Sequence, residues 1–291
     1  MPAPSVLVWS LLACQDAAPA RAPPADADAD TVPPGSAFAT DNPLWSAAEA
    51  ADALATALAP GLPDSTVLGT TYAAAIALRD DSCPSTIPGS TEEGVGPWRA
   101  DACTTAGGTT FDGEVSESTD TTDDGDGGTI FAQLLGGEGT ISDADGVGYH
   151  HSGQANLTCT YAADGAVTWE GSFSGNFAAA WGEGWLVEGG LASVFMEGQR
   201  GDEAAIQLFG GVRTGDVVLH FKDLALAGCG LTGELRVQDP TGYWWRLQFE
   251  PDTDTCDACG ALSWEGRDGG ELCLGETLLA PLTALAEGTC S

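Results

Sequence analysis

The chain has 291 residues, with 43 acidic and nine basic side chains and a formal net charge of −34 at pH 7. Such a polyanion cannot neutralise phosphates, so nucleic-acid binding is excluded as a main function, and an anionic membrane surface would repel it. Because 43% of the residues are apolar, the chain is not disordered throughout.

The N-terminus predicts an export signal. The apolar run from Ser5 to Ala13 is shorter than the roughly 20 residues that span a bilayer, but it suits the core of a signal peptide. The four residues from Leu11 to Cys14 (LLAC) resemble the lipobox of bacterial lipoproteins. The resemblance implies that residues 1–13 are removed and that Cys14 carries a lipid that anchors the protein to a membrane. No Lys or Arg precedes the apolar run, whereas an export signal normally has a positively charged region at that place.

Residues 14–40 are predicted to be the lipidated cysteine and a disordered tether. Pro, Ala and Asp dominate this segment and no hydrophobic period is present, which is typical of a linker. If extended at about 3.1 Å per residue, it would reach roughly 80 Å. Gln15 rather than Asp follows Cys14, and by the enterobacterial sorting pattern this favours the outer membrane.

One or two helices are predicted in residues 41–82, packed on a sheet. Ser46 and Glu49 have the spacing of a capping box, and Pro60-Gly61 ends the apolar period. The apolar residues at helical spacing are Leu44, Ala47, Ala51, Leu54 and Leu58. A second, alanine-rich helix is predicted over about 66–79, although its early β-branched residues weaken it.

Residues 83–291 are predicted to form a large antiparallel β domain. From about residue 97 the apolar period changes to two, as in 167–177, 231–237 and 243–249. This alternation is typical of antiparallel strands with one buried face. We expect nine to eleven strands, joined by short turns that favour a meander. The predicted fold class is therefore α+β, with one or two N-terminal helices and a curled or barrel-like sheet.

The cysteine count supports export. If Cys14 carries lipid, an even set remains, which suits four disulfides in an oxidising compartment. The set is Cys83, Cys103, Cys159, Cys229, Cys256, Cys259, Cys273 and Cys290. We predict one pair, Cys83 with Cys103, which would close a Pro/Gly-rich loop around Trp98. A zinc or redox role for Cys256-x-x-Cys259 is the less favoured alternative, because the motif lacks a second pair and lies between strands.

One alternative for the acidic stretch at 112–126 is a weak, unspecific calcium site at Asp120, Asp123, Asp124 and Asp126. Calcium is bound by clusters of oxygen ligands. The EF-hand pattern fails, however, since Thr122 and Phe131 stand at its third and twelfth positions. A solvated loop is the favoured interpretation, and we predict no metal site.

The sequence predicts no catalytic residues. Its histidines are His150, His151 and His220; the first two should point to opposite faces of a strand, and His220 should be exposed. No nucleophile elbow, zinc-protease helix, phosphate loop or dinucleotide fingerprint occurs. We therefore expect a structural or interaction role in the cell envelope rather than an enzyme.

Two alternatives remain open. The first is a small-molecule or carbohydrate-binding barrel or groove lined by Trp181, Trp185, Trp244 and Trp245, although one of the last two must point outward. The weaker second alternative is a secreted hydrolase that uses two acids. A protein or glycan partner cannot be named from either.

A broader resemblance covers most of residues 66–275. Its pattern runs from Cys83-Pro84 through Trp98, Cys103 and Thr109–Gly113 to Cys256-x-x-Cys259-Gly260 and Cys273. This layout resembles predicted lipoproteins of unknown function in myxobacteria and their relatives. The resemblance implies location and fold, and it brings no activity or site residue with it.

Overall fold

A computed structural model describes residues 43–58, 65–86, 98–143, 146–179, 190–200, 204–214, 216–228, 230–250 and 258–290. The chain divides after Asp41, and all described residues belong to the part from Asn42 to Ser291. The predicted signal peptide, Cys14 and the tether therefore lie outside the described residues.

An antiparallel meander dominates the described structure. Its strands are β1 (Ser85–Thr86), β2 (Trp98–Thr104), β3 (Thr110–Asp123), β4 (Thr129–Asp143), β5 (Gly146–Tyr161), β6 (Val167–Ala179), β7 (Gly190–Arg200), β8 (Ala205–Thr214), β9 (Val217–Ala227), β10 (Gly230–Gln238), β11 (Trp244–Phe249), β12 (Cys259–Trp264) and β13 (Arg267–Cys273). Each strand pairs with the next in chain order, which confirms the predicted meander. The described residues hold 13 strands rather than nine to eleven, because strands as short as β1 carry no readable alternation.

Helix α1 (Ala47–Leu58) begins where the capping box predicts. The backbone N–H of Ser46 donates to Glu49 Oε2 at 2.7 Å, and the backbone N–H of Glu49 donates to Ser46 Oγ at 3.4 Å. These two bonds satisfy N–H groups that a helix start leaves without partners. Helix α2 (Ser65–Ile76) follows, close to the predicted range of 66–79.

A third helix, α3 (Glu276–Gly288), lies within residues 83–291, the predicted antiparallel β domain, where the sequence predicted no helix. Its start gave no recognisable signal, because Gly275 at the N-cap makes no side-chain capping bond, and Pro281 lies inside the helix. Proline is usually a helix breaker. The helix is held instead by its apolar face, since Leu278 and Leu282 are fully buried.

All three helices contact the sheet. Helix α1 contacts β9, β10 and β13, helix α2 contacts β4 to β6, and helix α3 contacts β7 and β8. The buried strand residues, such as Phe111, Leu157 and Leu235, lie on the side that meets the helices, called the inner face here. The opposite, outer face carries the polar residues. None of the described helices is long and apolar enough to cross a membrane.

A row of glycines crosses the centre of the sheet. Gly137 of β4 is paired with Gly153 of β5, which is paired with Gly175 of β6. Their φ angles are +125°, +149° and +127°, in the region that favours glycine. A methyl group on Gly137 would also overlap the carbonyl oxygen of Glu114. Glycines placed in this way let long strands bend at a defined position.

Three disulfides cross-link the described residues. Cys83–Cys103 confirms the predicted pair. Cys259–Cys273 joins directly opposite positions of β12 and β13. Cys159–Cys290 ties β5 to the residues after α3, across 131 positions of the chain. Cys229 and Cys256 lie outside the described residues.

We expect Gly137→Ala to lower the free energy of unfolding by more than about 1 kcal/mol, since alanine fits neither the backbone conformation nor the space. Gly136→Ala is the matched control, because the nearest atom to its added methyl would be Ser116 Oγ at 3.8 Å. Its cost should stay within about 0.5 kcal/mol. Urea denaturation followed by tryptophan fluorescence measures both. Equal costs at the two positions would contradict the assigned role of the glycine row.

The disulfides should differ in their contributions to stability. In the chain-entropy account, a cross-link over 131 residues restricts the unfolded chain more than one over 14 residues. Replacing both Cys159 and Cys290 by Ala should therefore cost about 2 kcal/mol more than replacing both Cys259 and Cys273 by Ala. Urea denaturation of the two double variants measures this difference, and the reverse order would refute the prediction.

Candidate functional site

The Cys256-x-x-Cys259 motif does not act as a dithiol in this structure. The sulfur of Cys259 is bonded to Cys273, which leaves no free thiol at Cys259 for redox exchange with Cys256. Glu271 lies beside this disulfide, with its carboxylate within 4.8 Å of both sulfurs. A metal would need thiolates there, and both sulfurs are consumed by the disulfide.

Most of the acidic stretch lies in strand β3, which corrects the prediction of a solvated loop, and only its end forms the turn between β3 and β4. The backbone N–H of Gly125 donates to Asp123 Oδ1 at 2.6 Å, and those of Asp126 and Gly128 donate to Asp124 Oδ1 at 2.8 and 2.7 Å. Asp120 is an exposed residue of β3. Within the described residues, these four carboxylates form no cluster with metal-ligand spacing. The carboxylates of Asp123 and Asp124 therefore stabilise the turn.

The predicted tryptophan and histidine side chains are divided between the inner and outer faces of the sheet. Trp245 is buried on the inner face, while Trp244 is half-buried on the outer face; one ring thus points outward, as predicted. Trp181 and Trp185 lie outside the described residues. His150 and His151 point to opposite faces, as predicted. His220 lies on the outer face as expected, but it is half-buried.

A buried polar cluster lies beneath α2 on the inner face. It consists of Tyr72 of α2, Glu117 of β3, and Tyr149 and His151 of β5. The Tyr149 hydroxyl lies 2.9 Å from His151 Nδ1, and the rings of Tyr72 and Tyr149 are 5.5 Å apart. Glu117 accepts a hydrogen bond from the side-chain amide of Gln133 at 2.5 Å. The two tyrosines and His151 have no exposed surface.

Burial disfavours the charged form of each titratable group in this cluster. It raises the pKa of Glu117, and it raises the pKa of Tyr149 together with the charges of Tyr72 and Glu117. It also lowers the pKa of His151 to about 4. These directions are the ones that desolvation imposes on acids and bases. Because Tyr72, Tyr149 and His151 are closed off from solvent, the cluster positions α2 on the sheet rather than contacting a ligand.

The outer face carries an open groove of about 470 Å³ across β5 to β9. Its polar walls include Thr158, Thr168, Glu170, Glu197, Gln199 and Gln207. Four of these stand in one row, because Thr158 pairs with Glu170, Glu170 with Glu197, and Glu197 with Gln207. The groove therefore offers many hydrogen-bonding groups on a rigid surface, and none of the described residues that line it is basic.

Glu170 and Glu197 are the paired acids of this groove, and they face each other across β6 and β7. Both side chains are exposed to water. Alternation in the sequence showed which residues of β6 point outward, but the groove depends on the register of five strands.

Buried His151 should make stability depend on pH. Its pKa is about 4 in the folded protein and about 6.5 in the unfolded chain. The unfolded chain therefore takes up a proton that the folded state resists, so the free energy of unfolding falls as the pH decreases through this range. We expect this residue to account for a loss of about 2 kcal/mol between about pH 7 and pH 5.

His151→Gln removes this contribution, so its unfolding free energy should depend less on pH than that of the wild type. His150→Gln is the matched control, because His150 is the half-buried neighbour on the outer face, 3.0 Å from Thr140 Oγ1. Urea denaturation at several pH values measures the slopes. Identical slopes for the wild type and His151→Gln would refute the prediction.

No family model, curated protein or solved structure matches this chain. The candidate sites above rest on the residues of the chain itself.

Proposed function

We propose that this chain is an exported, lipid-anchored protein of the cell envelope with a structural or interaction role. The observation that carries the proposal is the set of three disulfides within the described residues. Disulfides persist in oxidising compartments and are rare in the cytosol. The lipobox-like residues from Leu11 to Cys14 add the anchor, and Gln15 favours the outer membrane.

The surface of the sheet suits such a role. The outer groove carries glutamate, threonine and glutamine side chains among apolar ones, and the three helices pack on the inner face. A groove of hydrogen-bonding groups across five strands fits the polar surface of a protein or glycan partner. The tether of residues 14–40 would hold this surface away from the membrane.

Metabolic labelling with palmitate tests the anchor. We expect the full chain, expressed in a bacterium that processes lipoproteins, to incorporate label and to fractionate with the membrane. Cys14→Ser should abolish both, because no thiol remains at the lipidation position. Cys103→Ser is the control: it breaks a disulfide and should keep the label. An unlabelled wild-type protein, or labelled Cys14→Ser, would overturn the proposal.

A further inference from the structure

The groove on the outer face follows a straight row of side chains across the sheet. Thr158, Glu170, Glu197 and Gln207 occupy directly opposite positions on β5 to β8, and Gln207 is paired in turn with Ala225 of β9. Neighbouring strands lie about 4.8 Å apart, so these five positions span roughly 19 Å. The row therefore offers an extended track to a ligand.

Two carboxylates in this row lack a cationic partner. Glu170 and Glu197 face each other across β6 and β7, and within the described part of the chain neither of them forms an ion pair. Like charges placed directly opposite each other in a sheet are destabilising. An ionised carboxylate only accepts hydrogen bonds, so a ligand with several hydroxyl groups would donate to both side chains.

A pair of phenylalanine rings borders the row. Phe195 precedes Glu197 by two positions on β7, and Phe209 follows Gln207 by two positions on β8, so all four side chains lie on the outer face. Phe195 is paired with Phe209, and their ring centroids are 6.1 Å apart. Because Phe195 is 36% exposed, an apolar surface in contact with water lies beside the acceptors of the groove.

The charges around the groove disfavour an anionic ligand. None of the described residues that line it is basic, and Lys222 of β9 is paired with Glu234 of β10, away from the row. Asp120 of β3 continues the row beyond β5, two strands further along. An anion in the groove would therefore face Glu170 and Glu197 without a lining cation, and such like-charge contacts are unfavourable.

We propose that this groove binds an extended, uncharged glycan chain. The hydroxyl groups of a sugar donate to Glu170 and Glu197, and the C–H groups on the face of a sugar ring pack on Phe195. A protein partner matches the groove less well, because the centre of a protein interface is apolar and rich in large side chains, whereas alanines line the β8 and β9 end. The inference rests on the interaction role proposed above and gives that role a class of partner.

Isothermal titration calorimetry on the purified full chain tests the groove, with cellohexaose and N-acetylated chitohexaose as probes. Both probes are extended, uncharged chains. We expect saturable binding of at least one of them, with a dissociation constant below about 1 mM. The affinity should stay within about twofold when salt is added, because salt screens interactions between charges.

Two substitutions separate the polar contacts from the apolar ones. Glu197→Ala should weaken binding at least about tenfold, because the glycan loses hydrogen bonds to a charged acceptor. Phe195→Ala should weaken it about fivefold, because the sugar loses an aromatic surface. Both residues are exposed, and urea denaturation verifies that each variant is folded.

Matched controls exist for both substitutions. Glu138→Ala removes an exposed glutamate of β4 that is paired with Glu114 and does not line the groove. Leu78→Ala removes an apolar side chain that is 46% exposed and follows α2. Both variants should bind the probes as the wild type does.

The proposal is overturned if neither probe binds, if salt weakens binding more than about threefold, or if Glu138→Ala weakens binding as much as Glu197→Ala. Failure of both probes would leave a protein as the partner class of the interaction role. It would not affect the palmitate labelling, which depends on Cys14 rather than on the groove, so a failed glycan site and a failed anchor give different results.

Discussion

The register of the antiparallel strands is the constraint on which the rest of this structure depends. Side chains alternate between the two faces of a strand, so a shift of one residue in any strand pair would exchange its buried and exposed sets. Each strand pairs with its neighbour in the sequence, and the inner face is then closed by α1, α2 and α3. The acids of the chain can be so numerous because this arrangement gives them an outer face in water.

The glycine row and the disulfides act on different parts of the sheet. The row of Gly137, Gly153 and Gly175 lies within three long central strands, where positive φ angles let a strand bend while its ladder continues on either side. The disulfides act at its margins: Cys83–Cys103 lies at the first strands and Cys259–Cys273 at the last two. Cys159–Cys290 fastens the residues after α3 to β5 in the central sheet.

Local patterns predicted local structure, and the sequence alone could not supply more. Ser46 and Glu49 predicted the start of α1 because a capping box lies within one turn. Cys83 and Cys103 are close in sequence and proved to be a pair. Helix α3 escaped prediction because Gly275 provides no capping side chain and Pro281 interrupts the expected composition. Without α3, the partner of Cys159 could not be inferred.

The candidate sites could not be predicted from local patterns for the same reason. Alternation placed His220 outward, but it did not show that Arg236 and Arg246 stand on successive strands beside it. That juxtaposition depends on two hairpin registers.

The position of the cations changes the meaning of the net charge. A uniform surface of carboxylates would repel every anion, and its field would be screened within about 8 Å at physiological ionic strength. The outward positions of β8 to β11 carry Arg213, Lys222, Arg236 and Arg246, which are four of the nine basic residues of the chain. A solute close to the sheet therefore meets a local charge that differs from the net charge of the whole chain.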